Sequence, residues 1–121
     1  MPDTDKNRIP EPNDHVELAP DFSASPLWIN GANTALDDLP ITGNLRDDLS
    51  EFSRLYESVM DILQGNLMRS PRVENSRLWQ LYDEDPRGSK LWDEVNTCGK
   101  TLSSKLQEEL GLPQVVYQNR S

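Results

Sequence analysis

A chain of 121 residues leaves room for one domain, and with 35% hydrophobic residues and nine prolines it can bury only a modest core. Its formal charge of −9 sets it against nucleic acid and anionic membrane as direct partners, because both would repel it. One cysteine, Cys98, excludes an internal disulfide, and a lone thiol within a helical pattern suits a reducing compartment. No basic-then-apolar leader runs through Met1–Pro20 and no stretch approaches transmembrane length, so the expected location is the cytoplasm.

Residues 1–24 carry Pro2, Pro10, Pro12 and Pro20 among Asp, Glu and Asn, and their acids outnumber Lys6 and Arg8. With Phe22 as the one aromatic, this stretch is expected to be a disordered acidic tail, and residues 25–121 a single small domain. Leu27, Trp28 and Ile29 favour an extended edge strand that starts at Pro26, and Asn30, Gly31 and Asn33 signal a turn after it. Asp37-Asp38-Leu39-Pro40 reads as a loop anchored by Leu36, Leu39 and Ile41.

Thr42 is a good N-cap for a long helix over residues 42–67. Leu45, Leu49, Phe52, Tyr56, Val59, Met60, Leu63 and Leu67 recur at helical spacing and mark its buried face. Asp47, Glu51, Glu57 and Asp61 fall on the other side, within an arc of roughly 120° at about 100° per residue. Arg54 is the one cation among them. The like-charge pairs Asp47–Glu51 and Glu57–Asp61 repel at i,i+4 spacing, which a purely structural face more often avoids. Such a stripe suits a basic partner, or serves solubility alone.

Gly65-Asn66 ends or frays this helix, and Ser70-Pro71 signals the next, a shorter helix to about Tyr82 carrying Val73, Leu78, Trp79, Leu81 and Tyr82. Ser89 then caps a last long helix with the stripe Leu91, Trp92, Val95, Cys98, Leu102, Leu106 and Leu110, and Gly111 and Pro113 stop it. Val115, Val116 and Tyr117 are β-formers that could pair with Leu27–Ile29. The expected fold class is α+β, mostly α: two long packed amphipathic helices, a shorter helix and a small terminal β-ribbon.

Catalytic chemistry finds little footing. His15 is the sole histidine and lies in the expected tail, so a pair with Cys98 would require the tail to fold back. Gly99-Lys100-Thr101 lacks the upstream glycine of a phosphate loop and sits mid-helix. Zinc lacks its His and Cys ligands, and Asp83-Glu84-Asp85 precedes Pro86 without the pattern of a calcium loop. No cofactor and no metal is expected. Trp79 and Tyr82, one turn apart on the short helix, either cap the core or anchor a partner beside Arg69, Arg72 and Arg77.

Several short motifs fall in a consistent order: Pro26-Leu27-Trp28, Leu39-Pro40-Ile41-Thr42, Leu45-Arg46-Asp47-Asp48-Leu49 with Tyr56, then Gly99 through Leu106-Gln107-Glu108-Glu109-Leu110-Gly111 and Val116-Tyr117. This order resembles small uncharacterised proteins common in actinobacteria and in toxin–immunity neighbourhoods. The resemblance covers residues 26–60 and 91–117, while residues 64–90 depart from it, and it implies fold more than activity. The functional expectation is a non-catalytic acidic binding module. Its most concrete form is an immunity or inhibitor protein that occludes a basic nucleic-acid-acting partner through Asp47, Glu51, Glu57, Asp61, Trp79 and Tyr82. The alternative is a structural or assembly subunit, a homo-oligomer or part of a phage or secretion apparatus, with incidental charge.

Overall fold

The computed structural model describes residues 10–21, 24–65 and 71–120. The fold is α+β and mostly helical, with three α-helices and a small four-stranded sheet among the described residues. The strands are β1 (Val16–Leu18), β2 (Leu27–Ile29), β3 (Ala32–Thr34) and β4 (Val116–Tyr117), in the spatial order β3-β2-β1-β4. β1 runs antiparallel to β2, Val16 opposite Ile29 and Leu18 opposite Leu27, and parallel to β4.

The domain therefore begins earlier than composition implies. Val16 and Leu18, 2% and 0% exposed, occupy an interior strand, and Ala19 and Pro20 are buried beside them. A three-residue strand whose only signal is two aliphatics flanking Glu17 is too short to register against the surrounding prolines and acids. The rest of the tail expectation, residues 1–9 and Phe22, lies outside the described residues.

β2 is an inner strand rather than an edge. The turn after it is a two-residue hairpin loop: Asn30 (φ 52°) and Gly31 (φ 84°) are both left-handed, as the twist of a type I′ turn demands, and Asn33 falls in β3 instead of the turn. β4 does not pair with β2, because β1 lies between them. Along the ribbon Val16, Leu18, Leu27 and Ile29 face the core, whereas Glu17 and Trp28 alternate to the outer face. The Trp28 indole Nε1 donates to the Ala19 carbonyl at 3.0 Å.

Helix α1 spans Gly43–Leu63. Thr42 caps it, its Oγ1 accepting from the Leu45 amide at 3.2 Å. Leu45, Leu49, Phe52, Tyr56, Val59 and Ile62 are buried, while Met60 and Leu63 flank the stripe. Leu67, Met68, Arg69 and Ser70 lie outside the described residues. Helix α2 covers Ser76–Glu84, so it starts later than the Ser70-Pro71 signal suggests. After Pro71 the chain turns, the Asn75 amide donating to the Pro71 carbonyl at 3.1 Å. Val73 stands 91% exposed, which leaves this segment no buried side chain to hold it as part of the helix.

Helix α3 runs Ser89–Leu110, with Gly88 rather than Ser89 at the cap position and Gly111 as its left-handed C-cap. Leu91, Val95, Leu102 and Leu106 are buried, with Trp92, Cys98 and Leu110 half-buried at the flanks. The stripes of α1 and α3 pack on each other, and the inner face of the sheet completes the core. Thr42 also joins the two helices directly: its amide donates to Glu109 Oε1 at 2.8 Å and its hydroxyl to Oε2 at 2.9 Å.

Candidate functional site: an acid-walled groove between two helices

Beside the shared core, α1 and α3 leave a groove of about 540 Å³. Helical spacing builds both walls. Asp48, Glu51, Phe52 and Leu55 recur at three and four residues on α1, and Glu94, Thr97, Cys98, Thr101, Leu102 and Lys105 do so on α3, with Asp93 at the end. Each strip lies next to its helix's buried stripe, so the floor is apolar, from Phe52, Leu55 and Leu102, with Cys98 half-buried among them.

Negative charge dominates the rim. Asp48, Glu51, Asp93 and Glu94 face Lys105 as the single cation of the lining. Lys105 Nζ lies 3.8 Å from Asp48 Oδ2, and both side chains are about half exposed. Glu94 is paired with Arg77 of α2. Glu51 and Asp93 have no ion-pair partner among the described residues. Burial pushes the Cys98 thiol up from its ordinary value, and the neighbouring Asp48 and Glu94 carboxylates push it the same way. A thiol so placed stays protonated at neutral pH and is a poor nucleophile.

The six residues expected to bind a partner separate in three dimensions. Glu51 lines the groove. Asp47 is exposed on α1 but not part of the lining, and Glu57 is half-buried. Asp61 is 3% exposed and is removed from any surface stripe. On the neighbouring flank of α1, α2 and the turn before it come close: Glu74, Asn75 and Leu78 line a hollow with Glu51, Arg54, Leu55 and Ser58. An arc of 120° is too wide to remain on one open surface once a second helix lands on it.

Trp79 is core, 4% exposed, so it is no exposed anchor. Tyr82 meets it edge-on at 5.7 Å between ring centroids and is itself half-buried, while the Arg72 guanidinium covers the indole at 4.4 Å. The expected basic patch is likewise absorbed: Arg72 reaches Asp83 at 3.4 Å and Arg77 pairs with Glu94, while Arg69 lies outside the described residues. His15 and Cys98 are not brought together. His15 lines a hollow with Pro113 and Gln114 and stands 3.5 Å from Glu17, whereas Cys98 lies in the groove. Among the described residues no cluster of three or more His, Cys, Asp or Glu could hold a metal ion.

Asp48, Asp93 and Glu94 are the acids that sequence reasoning missed. Their signal was present as i,i+3 and i,i+4 spacing next to the apolar stripes, but only the packing register of α1 on α3 sets the strips opposite each other. Among the described residues no helix is long and apolar enough to cross a membrane. Comparison with known proteins finds no matching family model, no matching curated protein and no matching solved structure.

Proposed function

We propose that the chain is a cytoplasmic, non-catalytic binding module that receives a basic protein partner in the α1/α3 groove. Its most concrete form is an immunity or inhibitor protein acting on a nucleic-acid enzyme, in keeping with the resemblance to proteins of toxin–immunity neighbourhoods. One observation carries the reading: carboxylates stand on both walls of an apolar floor, and Glu51 and Asp93 have no ion-pair partner among the described residues. Inhibition works by occlusion. The groove carboxylates occupy the cationic ground meant for phosphate, and the half-buried Leu55 and Cys98 supply desolvated contact in place of Trp79.

Because Asp61 is buried, charge reversal is tested at Glu51 and Asp93, both exposed. With a basic partner isolated on the immobilised chain, Glu51→Lys combined with Asp93→Lys slows association and flattens its salt dependence while the chain stays folded. Association rates unchanged by this pair would refute the reading.

An assembly subunit is the second reading, favoured by the position of β3 at one end of the sheet with Ala32 and Asn33 exposed. Such an edge can pair with a second copy. Light scattering separates the two, since a stable oligomer at micromolar concentration supports assembly and a monomer supports the binding module.

A further inference from the structure

Resting on that reading, we infer that the segment seated in the groove is an amphipathic basic helix rather than an extended or disordered basic tail. Both walls are α-helices, whose backbone amides and carbonyls along the groove are already engaged within each helix. The groove therefore offers no sheet edge, and an extended peptide laid in it would gain no ladder of backbone hydrogen bonds from its walls. A helix satisfies its backbone internally and presents side chains alone.

Charge and size agree with this occupant. From Asp93 to Lys105 the α3 wall covers about 18 Å at 1.5 Å per residue, the length of roughly three helical turns. Apolar residues at i, i+3, i+4 and i+7 would rest against the half-buried Leu55 on one side and Cys98 on the other, above the buried Phe52 and Leu102. Lysines or arginines flanking that face would then stand over Glu51 on one wall and Asp93 on the other. Lys105, already 3.8 Å from Asp48, closes one end and disfavours a cation there. The arrangement selects a helix with basic flanks on both sides of a narrow apolar stripe.

The test titrates the full-length chain with three synthetic peptides of equal length and charge, read by amide chemical shifts and circular dichroism. One is a Leu/Lys amphipathic helix, one its scrambled isomer, and one a Lys/Gly/Ser peptide that does not fold. The amphipathic peptide should gain helicity on binding and shift the amides of Leu55, Thr97, Cys98 and Thr101. It should bind about tenfold or more tightly than the scrambled isomer, and Glu51→Lys with Asp93→Lys should abolish the difference. Equal binding of the scrambled or unfolded peptide in the same groove overturns the helical occupant while leaving the acidic docking reading intact. Absence of shifts in the groove with all three peptides overturns both.

Discussion

Gly99 of α3 and Tyr117 of β4 are in direct contact: a Cβ at position 99 would stand 2.0 Å from Tyr117 Cε1. Only a missing side chain admits the ring. Around this contact the C-terminal segment is tied to α3, the Tyr117 hydroxyl donating to Asn96 Oδ1 at 2.7 Å and the Arg120 amide to the same oxygen at 2.8 Å. Asn96 Nδ2 donates in return to the Arg120 carbonyl at 2.8 Å, and Arg120 Nη2 reaches the Pro20 carbonyl at 2.6 Å. The last strand thereby links α3 to the chain that follows β1.

Gly99→Ala should destabilise the protein by about 1–3 kcal/mol, the range for an overpacked interior. Combining it with Tyr117→Val should cost less than the sum of the two single changes, because the contact is shared. Urea denaturation of the three variants measures this, and wild-type stability in Gly99→Ala would show that the ring does not sit where described.

Trp79→Ala should lower stability by about 3–5 kcal/mol, as expected for a buried indole. An exposed interface anchor would leave the melting temperature unchanged and alter binding alone. Thermal unfolding followed by circular dichroism decides between them.

Thr42→Ala should cost about 1–2 kcal/mol, since it removes the cap of α1 and the hydroxyl bonded to Glu109 at 2.9 Å. Glu109→Ala should show coupling with it in a double-mutant cycle, because both changes break one α1–α3 link. Strict additivity would mean that cap and link act independently.

Alkaline stability should follow one thiol and one phenol that the fold keeps neutral. Burial pushes the Cys98 thiol above its ordinary value, and burial pushes Tyr117 up to about 12 despite the opposing Arg120. A group with a raised folded value binds its proton more tightly in the native state than in the unfolded one. Stability is then flat below the unfolded values and falls as pH rises between the unfolded and folded values. Denaturation midpoints should therefore hold up to about pH 9 and decline from there toward pH 12. Tyr117→Phe should remove the upper part of that decline, and the alkylation rate of Cys98 should have its midpoint at higher pH than that of a free cysteine thiol. A stability that rises with pH across this window would contradict the burial of both groups.

Much of the helical framework was legible in the chain itself. The stripes of α1 and α3 repeat over five or more turns, so period alone identifies their buried faces, and Thr42 and Gly111 mark two of their four ends by local chemistry. The Leu27–Ile29 strand and the β-forming Val116-Tyr117 were equally local signals. Short or non-local features were not legible. Val16–Leu18 carries too few residues to announce a strand, and its place between β2 and β4 depends on pairing with Val116 and Tyr117 at the far end of the chain. The late start of α2 reflects where Leu78 and Trp79 reach the core, not the capping pattern at Ser70-Pro71.

The candidate site divides along the same line. By itself the sequence determined the mostly helical α+β class, the two long amphipathic helices and the excess of acid on α1, because periodicity, capping and charge act within a few residues. The tertiary structure alone decided which carboxylates remain at a surface: packing withdraws Asp61 from solvent and seats Trp79 of α2 in the core, and the packing of α1 on α3 sets Glu51 across from Asp93 over one apolar floor. Which face of a helix stays open depends on what lands on it, and that is a property of contacts between distant segments rather than of any one of them.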